Sequence, residues 1–163
     1  MTLDETTQND YPLYELIISW LDRHGMGYAS NPERSYIAFC VLRKSGRWEV
    51  VIEVDEQYRQ VFFYSQLDMF VPEDRQQAIM EFMTRANHGM RQGHFELCFK
   101  IGIPFNELAP SDKQISDLVN CVIGVTIQYF PGLMAVIYGG QSPKAAIESI
   151  EMLPSSPLNQ PLH

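Results

Sequence analysis

Asn87-His88-Gly89 followed by His94-Phe95-Glu96 is the densest polar cluster in the sequence. Imidazole and carboxylate are the groups of acid–base catalysis and of zinc sites, and residues 94 and 96 of an extended strand share one face. With His88 at the end of a preceding helix, Asn87, His88, His94 and Glu96 form a candidate site for a metal or a small molecule. The spacing stops short of a known zinc centre. A nucleobase deaminase built on His-x-Glu needs a Pro-Cys-x-x-Cys partner, which the chain lacks, and His88 and His94 have no clear third ligand. The alternative is structural: a helix C-terminus whose dipole favours His88 and whose chain turns at Asn87 or Gly89.

Other chemistry-bearing residues read as structure. Glu49, Glu53 and Asp55 could suggest the paired carboxylates of glycoside hydrolysis, but their alternation with Val50, Ile52 and Val54 is that of a strand with one solvated face. Gly25-Met26-Gly27-Tyr28-Ala29-Ser30 follows a helix and lacks the third glycine of a dinucleotide loop, so it is a turn. Gly139-Gly140-Gln141-Ser142 precedes a helix start and could cradle an anion through backbone amides, although a loop before an N-cap accounts for it. Walker, nucleophile-elbow and HExxH motifs are missing from the sequence. No cofactor is implied, and the chain is expected not to be an enzyme.

The elements that hold these residues follow from periodicity. Pro12 opens a helix in which Leu13, Leu16, Ile17, Trp20 and Leu21 form one face, closed by Gly25. Residues 25–34 read as turn. Tyr36 to Leu42 and Trp48 to Val54 form a hairpin about Lys44-Ser45-Gly46, and Gln60 to Leu67 is a third strand. Pro72, Glu73 and Asp74 start a second helix with Ile79, Phe82, Met83, Ala86 and Met90 inward and an outer Glu81–Arg85 pair. His94 to Ile103 returns as one strand. Ser111 and Gln114 form a capping box for a long helix, which Pro131 should kink or restart, and Ser142-Pro143 caps a last short helix. The order is α-β-β-β-α-β-α-α, an α+β class in which a twisted antiparallel sheet is flanked by helices. The domain is expected over residues 10–152, with loose ends at 1–9 and at the proline-rich 153–163.

A chain of 163 residues with 45% hydrophobic and 20% charged residues supports one globular core and excludes a largely disordered chain. Twelve basic against 20 acidic residues give a net charge of −8, which argues against nucleic acid and anionic membrane as partners. Cys40, Cys98 and Cys121 are widely spaced among apolar neighbours, as in a reducing cytoplasm, and the acidic first ten residues do not read as an export signal. Leu118 to Pro143 holds no charged residue or histidine, yet Asn120, Thr126, Gln128, Pro131 and the acidic flank Asp112 and Asp117 favour a core helix over a membrane span. Its stripe of Ile115, Leu118, Val119, Val122 and Ile123 covers a sheet. Val125, Ile127, Tyr129 and Met134 add apolar surface that suggests a second copy or a partner protein.

Val71-Pro72-Glu73-Asp74-Arg75, Asn87-His88-Gly89, Gly93-His94-Phe95-Glu96-Leu97, and Tyr129-Phe130-Pro131-Gly132-Leu133-Met134-Ala135-Val136-Ile137-Tyr138-Gly139 together resemble the signature of the YbjN-like family of bacterial sensory transduction regulators. The resemblance covers most of residues 12–151. It implies a fold similar to type III secretion chaperones, usually dimeric and acting by binding other proteins, with no catalytic residues to carry over. This chain departs from that pattern after Phe99, where Lys100-Ile101-Gly102-Ile103-Pro104 leads quickly to Ser111 in place of a longer charged hairpin. A missing or shortened edge strand is the expected consequence. The sequence therefore predicts a non-enzymatic, cytoplasmic, homodimeric protein-binding module, with a sensor domain using His88, His94 and Glu96 as the alternative.

Overall fold

The computed structural model describes residues 12–96, 98–105 and 109–152. The end segments 1–9 and 153–163 lie outside the described residues. Four helices, α1 (Leu13–Arg23), α2 (Gln76–Gly89), α3 (Asp112–Ile137) and α4 (Pro143–Glu151), accompany six strands: β1 (Ala29–Asn31), β2 (Tyr36–Arg43), β3 (Gly46–Asp55), β4 (Gln60–Gln66), β5 (His94–Phe95) and β6 (Phe99–Pro104). The strands form one sheet in the order β1-β2-β3-β4-β6-β5, every neighbouring pair antiparallel. The α+β class is as the sequence predicts.

One face of the sheet carries the core. Phe39, Val50, Ser65 and Phe99 lie in one row across β2, β3, β4 and β6, with Ile37, Ile52, Phe63 and Ile101 in the next. Buried residues of all four helices, among them Ile17, Phe82, Val122 and Ile147, join these strands in a single apolar cluster. Ala38 and Val51, which point the other way, are outside that cluster.

Three local expectations change. Residues 29–31 pair with β2 as a short edge strand, ended by the 3-10 turn Pro32–Arg34 and by Ser35 in the left-handed region at φ 49°. The segment predicted as one strand from His94 to Ile103 is a hairpin: the Glu96 amide donates to the Cys98 carbonyl at 3.0 Å, folding two-residue β5 back onto β6. The shortened edge anticipated there is therefore a very short strand. Lastly, α3 runs on through Pro131. Proline removes one backbone donor, but Leu133, Val136 and Ile137 beyond it are buried, and this packing keeps the last turns on the same axis.

The predicted caps are present. The Ser111 and Gln114 side chains complete the reciprocal capping box, and the Ser142 hydroxyl accepts from the Ala145 amide at 3.3 Å. The Glu81–Arg85 pair closes at 2.8 Å.

Ser65 on β4 and Thr126 on α3 are the buried polar residues of the core, their hydroxyls 2.6 Å apart, with Thr126 also 2.9 Å from the Val122 carbonyl. Together they fix α3 over the centre of the sheet. Thr126→Val should cost about 1–3 kcal/mol because it leaves the Ser65 hydroxyl buried without its partner. The double change Ser65→Ala/Thr126→Val should cost less than the sum of the two single changes in urea denaturation; strict additivity would contradict the pairing.

Candidate functional site

The polar cluster divides on inspection of its geometry. Asn87, at the end of α2, donates through Nδ2 to the Phe95 carbonyl at 2.9 Å and accepts from the Phe95 amide through Oδ1 at 2.6 Å. Its amide occupies the place of a neighbouring strand, so both polar groups of Asn87 are used in holding β5 against α2. His88 is exposed in the last turn of α2. His94 and Glu96 do meet, with Nε2 and Oε1 3.0 Å apart on the surface, and the imidazole holds the Glu96 carboxyl below its usual range. Among the described residues no three or more His, Cys, Asp or Glu side chains gather as a metal site.

The four candidate interface residues on α3 fall into two environments. Val125 and Tyr129 are 7% and 6% exposed and belong to the chain's own core, Tyr129 packing edge-on against Phe82 and Phe95. They are not available to a partner surface, and the second apolar side read from their sequence positions is narrower than expected. Ile127 and Met134 are half-buried, packed on the core with part of each side chain outward. Ile123 and Cys121 share that environment.

The face of the sheet opposite the helices holds residues that sequence reasoning missed. Tyr36, Glu53, Phe62 and Gly102 form one row across β2, β3, β4 and β6. The adjacent row holds Ala38, Val51, Tyr64, Lys100 and, on β5, His94. Phe62 lies so close to the β6 backbone that a Cβ on Gly102 would sit 2.7 Å from its ring, and Lys100 Nζ is 5.2 Å from the Phe62 ring centre and 5.4 Å from that of Tyr64. Val51, beside Tyr64 in the same row, is only 1% exposed although it lies outside the core cluster and, among the described residues, no helix covers it. Burial and a hydrogen bond to Glu53 push the Tyr64 hydroxyl up to about 12, and burial together with Glu49 and Glu53 raises that of Tyr36. A signal existed in Gln60-Val61-Phe62-Phe63-Tyr64-Ser65-Gln66, where aromatic residues occupy both alternating faces of one strand.

At the end of this face a cleft of about 790 Å³ is lined by Cys40, Arg47, Glu49, Gln66 and Asp68. Arg47 Nε lies 3.1 Å from the Cys40 sulfur. The loop at Gly139 to Ser142 is accounted for by the α4 N-cap, with Gly140 at φ 66° making the turn.

A sheet covered by four helices on one face and, among the described residues, bare on the other, where Tyr36, Phe62 and Tyr64 lie, defines the class: an α+β domain of helix-backed antiparallel type. The chain belongs to the YbjN family, described as putative bacterial sensory transduction regulator, whose model matches residues 13–134, from the first residue of α1 to the last turn of α3. The description names a regulator, not an enzyme family. No curated protein and no solved structure matches the chain, so the likeness to secretion chaperones rests on the sequence resemblance.

Proposed function

We propose that the chain is a non-enzymatic regulatory module that works in the cytoplasm as a homodimer and acts by binding another protein. The outer side of α3 carries this reading. No charged residue or histidine occurs from Leu118 to Pro143, and Ile123, Ile127 and Met134 lie half-covered along that helix. Two copies each bearing −8 repel one another over most of their surface. An uncharged apolar strip is where they can meet without opposing like charges, and meeting there removes apolar area from water. Its length and composition would also let α3 cross a membrane, but Leu118, Val122 and Leu133 on its inner side are packed in the core of the domain. Neither a membrane nor nucleic acid is proposed as a partner.

Ile127→Asp tests the reading. In sedimentation the unaltered chain should run as a dimer at micromolar concentration, while the variant should show a dimer dissociation constant raised about 100-fold or more, a hot-spot effect of roughly 2.7 kcal/mol. Its circular dichroism should be unchanged, since Ile127 is only half-buried. An 18.8 kDa monomer for the unaltered chain would remove the dimer.

A further inference from the structure

We propose that the bare face of the sheet is the docking surface for a basic segment of a partner protein, held between the ring of Tyr36 and the carboxylates of Glu49 and Glu53. This rests on the protein-binding reading above and names the chemistry of the partner.

Glu49 and Glu53 stand two pleats apart on β3, separated along the strand by roughly 13 Å, and both are exposed. Among the described residues neither takes part in an ion pair. Between them lies Val51, which is buried. The chain's own Lys100 holds its ammonium over Phe62 and Tyr64, which shows that rings on this face take a cation and leaves that of Tyr36 for a partner. Tyr36, at the β2 end of the Glu53 row, has no cation over its ring among the described residues. Burial first, and then the neighbouring carboxylates, Glu53 for Tyr64 and Glu49 with Glu53 for Tyr36, hold both tyrosine hydroxyls protonated.

These features select one kind of occupant. A phosphate-bearing ligand would meet the two carboxylates, and a second copy of this chain would bring the same pair against itself. An arginine or lysine side chain gains both the ring face and the carboxylate. In an extended segment every second side chain points the same way, about 6.6–6.8 Å apart, the same repeat as residues 49, 51 and 53 of β3. The net charge of −8 adds long-range attraction for such a segment.

The test is a fluorescence-anisotropy titration of the full chain with a short labelled peptide alternating arginine and serine, beside a peptide with glutamate in place of arginine. Saturable binding of the basic peptide alone is expected. Glu49→Gln/Glu53→Gln and, separately, Tyr36→Ala should each weaken it at least tenfold, while Glu73→Gln/Asp74→Asn, which removes the same charge in the turn before α2, should weaken it less than threefold. Equal losses in the two charge variants would reduce the effect to general attraction and overturn the proposal, as would no binding. Sedimentation of the same samples separates the two readings. A dimer that fails to bind the peptide overturns this proposal alone, and loss of the dimer in the Glu49/Glu53 or Tyr36 variants would make the face a self-contact and overturn it too.

Discussion

Gly93→Ala should destabilise the protein by about 2–5 kcal/mol, through a left-handed backbone that an L side chain resists and through a collision with the core. Gly93 has φ +69°, and a Cβ there would lie 2.4 Å from the Phe99 ring and 2.7 Å from the Lys100 carbonyl oxygen. The ring belongs to a fully buried residue stacked edge-on with Phe95, which in turn packs on Tyr129, so it has no open space to move into. The carbonyl is backbone of β6 and moves only with the strand. Gly140→Ala is the matched control: φ is +66° but nothing lies within 4 Å of the added methyl group, so the control should cost only the conformational part, about 1–2 kcal/mol. Urea denaturation of both variants separates the two contributions. Equal midpoints would show that Phe99 and β6 give way freely and that the β5–β6 hairpin is looser than its geometry.

That hairpin also marks the limit of what the chain discloses as a sequence. Periodicity is legible where one face is buried, which is why α1, β2, β3, β4, α2 and α4 follow from their apolar spacing, and why the caps at Ser111 and Ser142 follow from local hydrogen bonding alone. Short pairings are not legible in this way. Strands of two and three residues carry no alternation, and β1 and β5 exist because β2 and β6 offer them edges. Pro131 misleads for a related reason: its local cost is set against the burial of Leu133, Val136 and Ile137, which only the tertiary structure shows.

The candidate site was legible in part. His94 and Glu96 meet at i and i+2 on the arm that leads into the β5–β6 turn, as their spacing predicts. Asn87 could not be recognised as a clamp on Phe95, since its two partners are backbone atoms eight residues away. On α3, a helix with apolar residues on nearly every side gives no way to tell which side a second layer will cover. Here α2, α4 and β5 lie over Tyr129, and Ile127 stays outward, a division set by Phe82 and Phe95. The bare sheet face is legible only in part: successive aromatic residues at 62, 63 and 64 must occupy both faces of β4, but only the register places Phe62 and Tyr64 on the side away from the core.

Phe82 is where α2, α3 and α4 meet, and Phe82→Ala should lower stability by about 3–5 kcal/mol, a large share of the roughly 5–15 kcal/mol that holds a domain of this kind. The ring is fully buried, edge-on to Tyr129 at 6.4 Å, and lies against Gly132, where an added Cβ would sit 3.0 Å from Phe82 Cε2 and 2.6 Å from Ile150 Cδ1. The absence of a side chain at 132 is therefore what lets Phe82 and Ile150 reach the axis of α3. Gly132→Ala alone should destabilise by about 1–3 kcal/mol through overpacking, despite alanine's better helix propensity. With Phe82→Ala already in place the methyl group enters vacated space, so its cost should fall and can reverse sign, giving a coupling of about 1 kcal/mol or more between the two positions. Denaturant titrations of the two single variants and the double variant measure that coupling. Simple additivity would mean that Ile150, and not Phe82, sets the room at Gly132, and would move the centre of this helical layer from α2 to α4.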